Sequence, residues 1–158
     1  MEQLGFRNTT VEDSGKILHF IKELAKYEKM EEEVVANISL IEDEIFSKKR
    51  ANVFFITLND VEIGFCVYFY NYSTFQGRAG LYVEDLFILP TYRHKGYGRK
   101  TFKEIARIAN LNNCKRIEWC CLNWNEPSID FYHSLSAKGM KEWTTFRLNE
   151  DNIKKLID

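Results

Sequence analysis

A chain of 158 residues, 45% hydrophobic and 15% aromatic, is long enough to bury a core and too apolar to stay disordered. Its 22 basic and 23 acidic side chains nearly cancel, to a formal charge of −1, which excludes the broad positive field of a general nucleic-acid binder. Any phosphate binding must be local.

No repeat, low-complexity tract or Pro/Gly-rich linker divides the chain, so residues 1–158 read as a single domain. The N-terminus shows no charged segment followed by an apolar core, and the longest apolar runs, such as "FCVYFY", are far shorter than a bilayer span. Cys66, Cys114, Cys120 and Cys121 have neither CxxC spacing nor the pattern of a disulfide framework, and His19, His94 and His133 are scattered. These features predict a cytoplasmic protein with reduced thiols, no membrane association and no metal.

In chain order, "QLGFRNT" predicts a short first strand. Ile17, Leu18, Ile21, Leu24 and Ala25 then recur at helical spacing, with Thr10 or Asp13 as N-cap. The helix ends in the acidic run "YEKMEEEV", which opposes its dipole and suits a cationic partner, although a solvated helix end is the common fate of such runs. "NISLIEDEIFS" predicts a second, shorter helix. "NVFFITL" and "EIGFCVYFY" are strands split by the hairpin signal Asn59-Asp60, and "RAGLYVEDLFIL" is a strand closed by Pro90. Phe102, Ile105, Ala106 and Ala109 mark a third helix. "KRIEWCCL" predicts a strand, "NEPSIDFYHSL" a helix capped by Asn125 with Pro127 in its first turn, "EWTTFRL" a last strand and "NEDNIKKLID" a polar terminal helix. This order predicts an α/β fold, a mixed sheet with helices on both faces.

The segment "PTYRHKGYGRKT" joins a strand directly to an amphipathic helix. Its spacing fits neither a P-loop nor a complete Rossmann fingerprint, which disfavours a nucleotide-binding module. Glycines at 96 and 98 let successive N–H groups converge on an anion at a helix N-terminus, with Arg93, Lys95 and Arg99 adding charge. A solvated surface loop is the alternative.

Four segments in order, "ELAKYEKMEEEV", "YVEDLFILPTYR" with the R-x-x-G-x-G turn, "WNEPSIDFY" and "EWTTFRL", resemble the GCN5-related N-acetyltransferases. Within them the likeness is to the spermidine/spermine (diamine) and thialysine branch, over almost the whole chain. The resemblance implies the acyl-CoA N-acyltransferase fold with a mostly antiparallel sheet, acetyl-CoA as cosubstrate, a small-molecule amine as acceptor, and a homodimer. By residue-wise carry-over, the backbone of His94, Lys95, Gly96, Tyr97, Gly98 and Arg99, with Arg93 beside it, holds the pyrophosphate. Leu86, Phe87 and Ile88 pair with the pantetheine arm, and Asn125, Glu126, Pro127, Ser128 and Tyr132 flank the cofactor. The chain departs from the pattern at His94 and Ser136, where relatives usually have glycine; Ser136 is expected to act on packing. It also has Ser73 and Phe75 where polyamine-specific members tend to carry an acid and a tryptophan, which points to smaller amines.

Acetyl transfer needs a neutral amine nitrogen, yet an alkylamine of pKa near ~10.4 is almost wholly ammonium at neutral pH. A nearby carboxylate can take that proton. Glu84 and Asp85 lie mid-strand in an apolar run, and since strand neighbours point to opposite faces, the pair marks a site, a solvent-facing stretch or a bulge. The resemblance implies Glu84 as the base, with Asp85, Tyr27 and Glu28 beside the amine. Tyr132 shares a helix face with Ile129 and Leu135 and by pattern reads as core; the resemblance makes it the acid that protonates the leaving thiolate. The competing readings are a catalytically silent acyl-CoA-binding or regulatory domain and an acetyltransferase acting on a peptide or protein amine.

Overall fold

The aromatic and β-branched runs pair into one five-stranded sheet in the computed structural model, which describes residues 2–157. Its strands are β1 (Leu4–Asn8), β2 (Asn52–Leu58), β3 (Val61–Ser73), β4 (Arg78–Ile88) and β5 (Ile117–Trp119), in spatial order β1-β2-β3-β4-β5. The first four are mutually antiparallel and β5 is parallel to β4. Asn59 and Asp60 both take left-handed φ, 49° and 63°, as the tight β2–β3 hairpin requires.

Helix α1 (Ser14–Glu28) begins beyond a turn in which the Thr10 N–H donates to Asp13 Oδ2 at 2.9 Å. Its buried stripe packs on one sheet face. There Ile17 and Phe20 join Phe55, Phe65 and Phe87, with Phe20 stacked on Phe65 at 5.6 Å between ring centroids. It ends on Lys29, left-handed at φ 60°, whose neighbour Met30 donates its N–H to the Ala25 carbonyl. The acidic run follows as an exposed turn, Glu31–Glu33.

The second predicted helix is α2 (Ile38–Ile41), capped by Asn37 and continued as a π-helical turn over Glu42–Ser47. Helix α3 (Tyr97–Leu111) carries the chain from β4 to β5 and buries Tyr97, Thr101, Phe102, Ile105 and Ala109. Phe102 meets Trp119 at 5.0 Å, and Trp119 pairs with Val83, so α3 covers the sheet face opposite α1. Between β3 and β4 the approach is close: a Cβ on Gly64 would run into the Phe87 carbonyl.

These elements form one compact unit through Cys120, and a second unit begins at Cys121. The second contains α4 (Glu126–Ser134) and α5 (Glu150–Lys155). Residues 142–148, predicted as a last strand, form none, and Trp143, Phe146 and Leu148 are exposed. Their β-propensity marks suitability for a pleated surface without supplying a partner. Likewise only Ile117–Trp119 of "KRIEWCCL" pairs. Among the described residues no helix is long and apolar enough to cross a membrane.

Ser136 corrects a second expectation. It is exposed, so it does no packing, and its φ is 65°. Its N–H donates to the His133 carbonyl and that of Ala137 to the Tyr132 carbonyl, the Schellman closure of α4 with serine at the position glycine favours.

Candidate active site

The acidic pair of β4 sits on a break in register. Val67 of β3 pairs with Asp85 and the next residue, Tyr68, pairs with Val83, so Glu84 is an extra residue bulged out of the ladder. The bulge shifts the alternation by one residue. Tyr82, Asp85 and Phe87 all turn toward the α1 face, whereas an unbroken strand would send Tyr82 and Phe87 to opposite sides. Glu84 is exposed and Asp85 half-buried.

Burial pushes the Asp85 carboxyl up to about 7, with the charges of Glu84 and Glu28 adding to the effect. Glu28, at the last turn of α1, is itself raised by burial. The C-terminal end of α1 and the centre of β4 thus gather Tyr27, Glu28, Glu84 and Asp85. Tyr27 lies 6.4 Å from Phe87, centroid to centroid. Sequence reasoning missed Tyr82 and Cys120 here: the Tyr82 hydroxyl donates to Cys120 Sγ at 3.1 Å and feels the charge of Glu84. An aromatic two residues before the acidic pair was the only local signal.

Beyond Val83 the ladder between β4 and β5 stops. The Leu89 N–H donates to the Ile63 carbonyl at 2.9 Å, so Leu89 faces β3 and, by alternation, the peptide groups of Leu86 and Ile88 face the open edge. Of the strip Leu86, Phe87 and Ile88, Phe87 therefore turns its backbone inward to β3. The Ile88 carbonyl accepts from Arg93 Nε at 2.8 Å. The Arg93 guanidinium lies over Tyr27, 4.3 Å from the ring centroid, and 5.2 Å from that of Phe87. Arg93 thus ties the start of the glycine turn to the C-terminal end of α1.

The turn continues through His94 and Gly96, with φ of 62° and 80°. A Cβ on Gly96 would meet nothing, so its backbone conformation is what asks for glycine. Gly96 is also the N-cap of α3 and offers no side-chain acceptor to the first-turn N–H groups contributed by Tyr97, Gly98 and Arg99. His94, Lys95, Gly96 and Arg99 are exposed, which leaves a cationic helix N-terminus open to an anion. Lys95 Nζ stands 5.8 Å from the Tyr92 ring.

In the second unit, Asn125 is buried and caps α4, its side chain accepting the Ser128 N–H, with Glu126 and Pro127 in the first turn. Tyr132, half-buried, has its ring 5.6 Å from Phe131. Ser73 and Phe75 fall elsewhere. They close the β3–β4 hairpin, seven strand residues or roughly 20 Å from Asp85. Ser73 is buried, accepting the Gln76 N–H, and Phe75 is fully exposed, so neither shapes the acidic cluster of its own chain.

Residues 17–136 match the model of the Acetyltransferase (GNAT) family, across β4, the glycine turn and α4. The chain belongs to the GNAT acetyltransferases. It is 31% identical over 159 residues to a thialysine N-epsilon-acetyltransferase of Sus scrofa, covering 91% of each chain. It is 37% identical over 100 residues to an L-ornithine N5-acetyltransferase of Arabidopsis thaliana, covering 63% of this chain and 44% of that one. Among solved structures, an integron cassette protein from V. cholerae superposes with a TM-score of 0.81 at 23% identity, covering 98% and 97%. This GNAT chain is an N-acetyltransferase. Among the described residues no cluster of three His, Cys, Asp or Glu could hold a metal ion.

Proposed function

We propose that this enzyme transfers the acetyl group of acetyl-CoA to the primary amine of a small basic molecule, such as thialysine, ornithine or a diamine. The observation that carries the reading is the gathering of Glu28, Glu84 and Asp85 at one end of α1, an arrangement that attracts an ammonium. The names of the relatives agree with it.

Acetyl-CoA supplies the activated acetyl thioester. Its pyrophosphate suits the N–H groups of the turn from His94 to Arg99, where the left-handed backbone at 94 and 96 and the α3 N-terminus favour an anion. The Leu86 and Ile88 peptide groups suit the pantetheine amides, and the Leu86 N–H suits the developing oxyanion. Asn125, Glu126, Pro127 and Ser128 flank the cofactor by the family resemblance. Glu84 acts as base on the nitrogen, and Tyr132 gives a proton to the leaving thiolate. Tyr27 and Asp85 help seat the amine. The enzyme acts as one domain and as a cytoplasmic homodimer; the exposed Met140, Trp143, Phe146 and Leu148 are side chains a second copy would cover.

Thiol release from acetyl-CoA, measured against thialysine, ornithine, diamines, spermidine and a peptide N-terminus, tests the reading. Turnover with a small amine is expected. Acetyl-CoA binding without turnover on any amine would replace it with a silent acyl-CoA-binding domain.

A further inference from the structure

Acetyl transfer asks more of the nitrogen than one base can do. The amine arrives as an ammonium and loses one proton before its lone pair can attack the thioester carbonyl. Once the C–N bond has formed, the nitrogen again carries a positive charge and loses a second proton as the amide develops. The C–S bond breaks and the sulfur takes one proton, from Tyr132 on the reading above; the other is released to solvent. Two protons leave nitrogen for each acetyl group moved, and one carboxylate holds one at a time.

We infer that Asp85 takes the first proton, from the entering ammonium, and leaves Glu84 to take the second during attack. The inference rests on the acetyltransferase reading. The bulge supports the division of labour. It lifts Glu84 into solvent while holding Asp85 in register with Val67, half-buried, on the face shared with Tyr82 and Phe87. From α1 the site receives Tyr27 and Glu28; on β3 the buried Cys66 points to the opposite sheet face, and its thiol is raised by burial and by the charge of Asp85. From the turn after β4, Arg93 lies over Tyr27 and Phe87. Two carboxylates beside Asp85 favour its protonated form, and with burial they bring it to about 7. Proton transfer from an alkylammonium is then about a thousandfold less uphill than to an ordinary carboxylate. Glu84, exposed on the bulge, can exchange its proton with water.

The test compares wild type, Asp85→Asn and Glu84→Gln across pH 5.5–10, with an ordinary alkylamine and with one weakened by an electron-withdrawing substituent, which arrives neutral. In wild type, kcat/KM should rise through a limb near pH 7. Asp85→Asn should lose that limb and about 100-fold in rate at pH 7 with the ordinary amine, yet less than about tenfold with the weak one. Glu84→Gln should keep the limb, moved to lower pH by the loss of the Glu84 charge, and lose similarly with both amines. An equal loss in Asp85→Asn with both amines would overturn the inference. So would a carboxyl NMR signal of Asp85 titrating near 4 in the free protein. If wild type acetylates no amine, the acetyltransferase reading itself fails; the NMR titration then still decides whether Asp85 is built to accept a proton near neutrality.

Discussion

Replacing Asp85 with asparagine should change how folding stability depends on pH, before any substrate is added. In the fold this carboxyl is raised from its ordinary 3.8 to about 7, by burial first and by the charges of Glu84 and Glu28 after it. A raised acid favours the protonated native state. Its contribution is whole below pH 4 and is lost as pH rises through 7. The displacement corresponds to about 4 kcal/mol, a large part of the stability of a typical domain. Asparagine keeps the shape and cannot ionise, so relative to wild type the variant should gain about 4 kcal/mol between pH 4 and pH 8. Urea denaturation at each pH, with m-values checked for constancy, measures the difference directly. Glu84→Gln removes one of the two repelling charges and should move the midpoint of the wild-type transition downward. Parallel stability profiles for wild type and Asp85→Asn would refute the reasoning, since they would mean that Asp85 ionises as readily folded as unfolded.

Three further outcomes are expected. His94→Gly and Ser136→Gly should each stabilise by about 0.5–1 kcal/mol in thermal or chemical denaturation, because relief of the left-handed strain outweighs the added freedom of the unfolded chain; a loss of stability at both would show that the side chains do more than tolerate their backbone. Gly96→Val and Gly98→Val should raise the acetyl-CoA KM strongly in folded protein, and for Gly96 the φ of 80° adds strain without any clash. Normal cofactor affinity in both would make the turn an ordinary loop. Tyr132→Phe keeps the ring beside Phe131 and should leave the melting temperature nearly unchanged while kcat and kcat/KM fall together; unchanged kinetics would remove the hydroxyl from the mechanism.

What could be read from the chain alone was what local chemistry decides. Asn59-Asp60 can hardly be anything but a hairpin turn, and the stripe from Ile17 to Ala25 can bury itself only as a helix. The passage from β4 into α3 through glycines was legible for the same reason. The bulge was visible only as one alternative, because register is a property of two strands, and "VEDLF" contains no information about Val67 and Tyr68 sixteen residues earlier. The weakened acidity of Asp85 follows from that register and from Glu28 on another element. Arg93 misled in the opposite way. In sequence it belongs to a cationic cluster, but its long side chain reaches back to Tyr27, Phe87 and the Ile88 carbonyl. Residues 142–148 show the remaining limit: a strand pattern expresses a preference that only a neighbouring strand can satisfy.

The open stretch of β4 also bears on solubility. A strand edge with outward-facing peptide groups, such as those of Leu86 and Ile88, is a template on which another chain can build a sheet. Natural edges are protected by charge and by distortion of the strand, and Glu84 supplies both at once: an exposed carboxylate, on the residue that breaks the ladder. Arg93 covers one carbonyl further along. The charge and the bulge of Glu84 thereby oppose the pairing of this edge with a second copy of the strand. Deleting Glu84 would restore simple alternation and leave Asp85 as the one carboxylate on a flatter edge, which is then less protected against self-association.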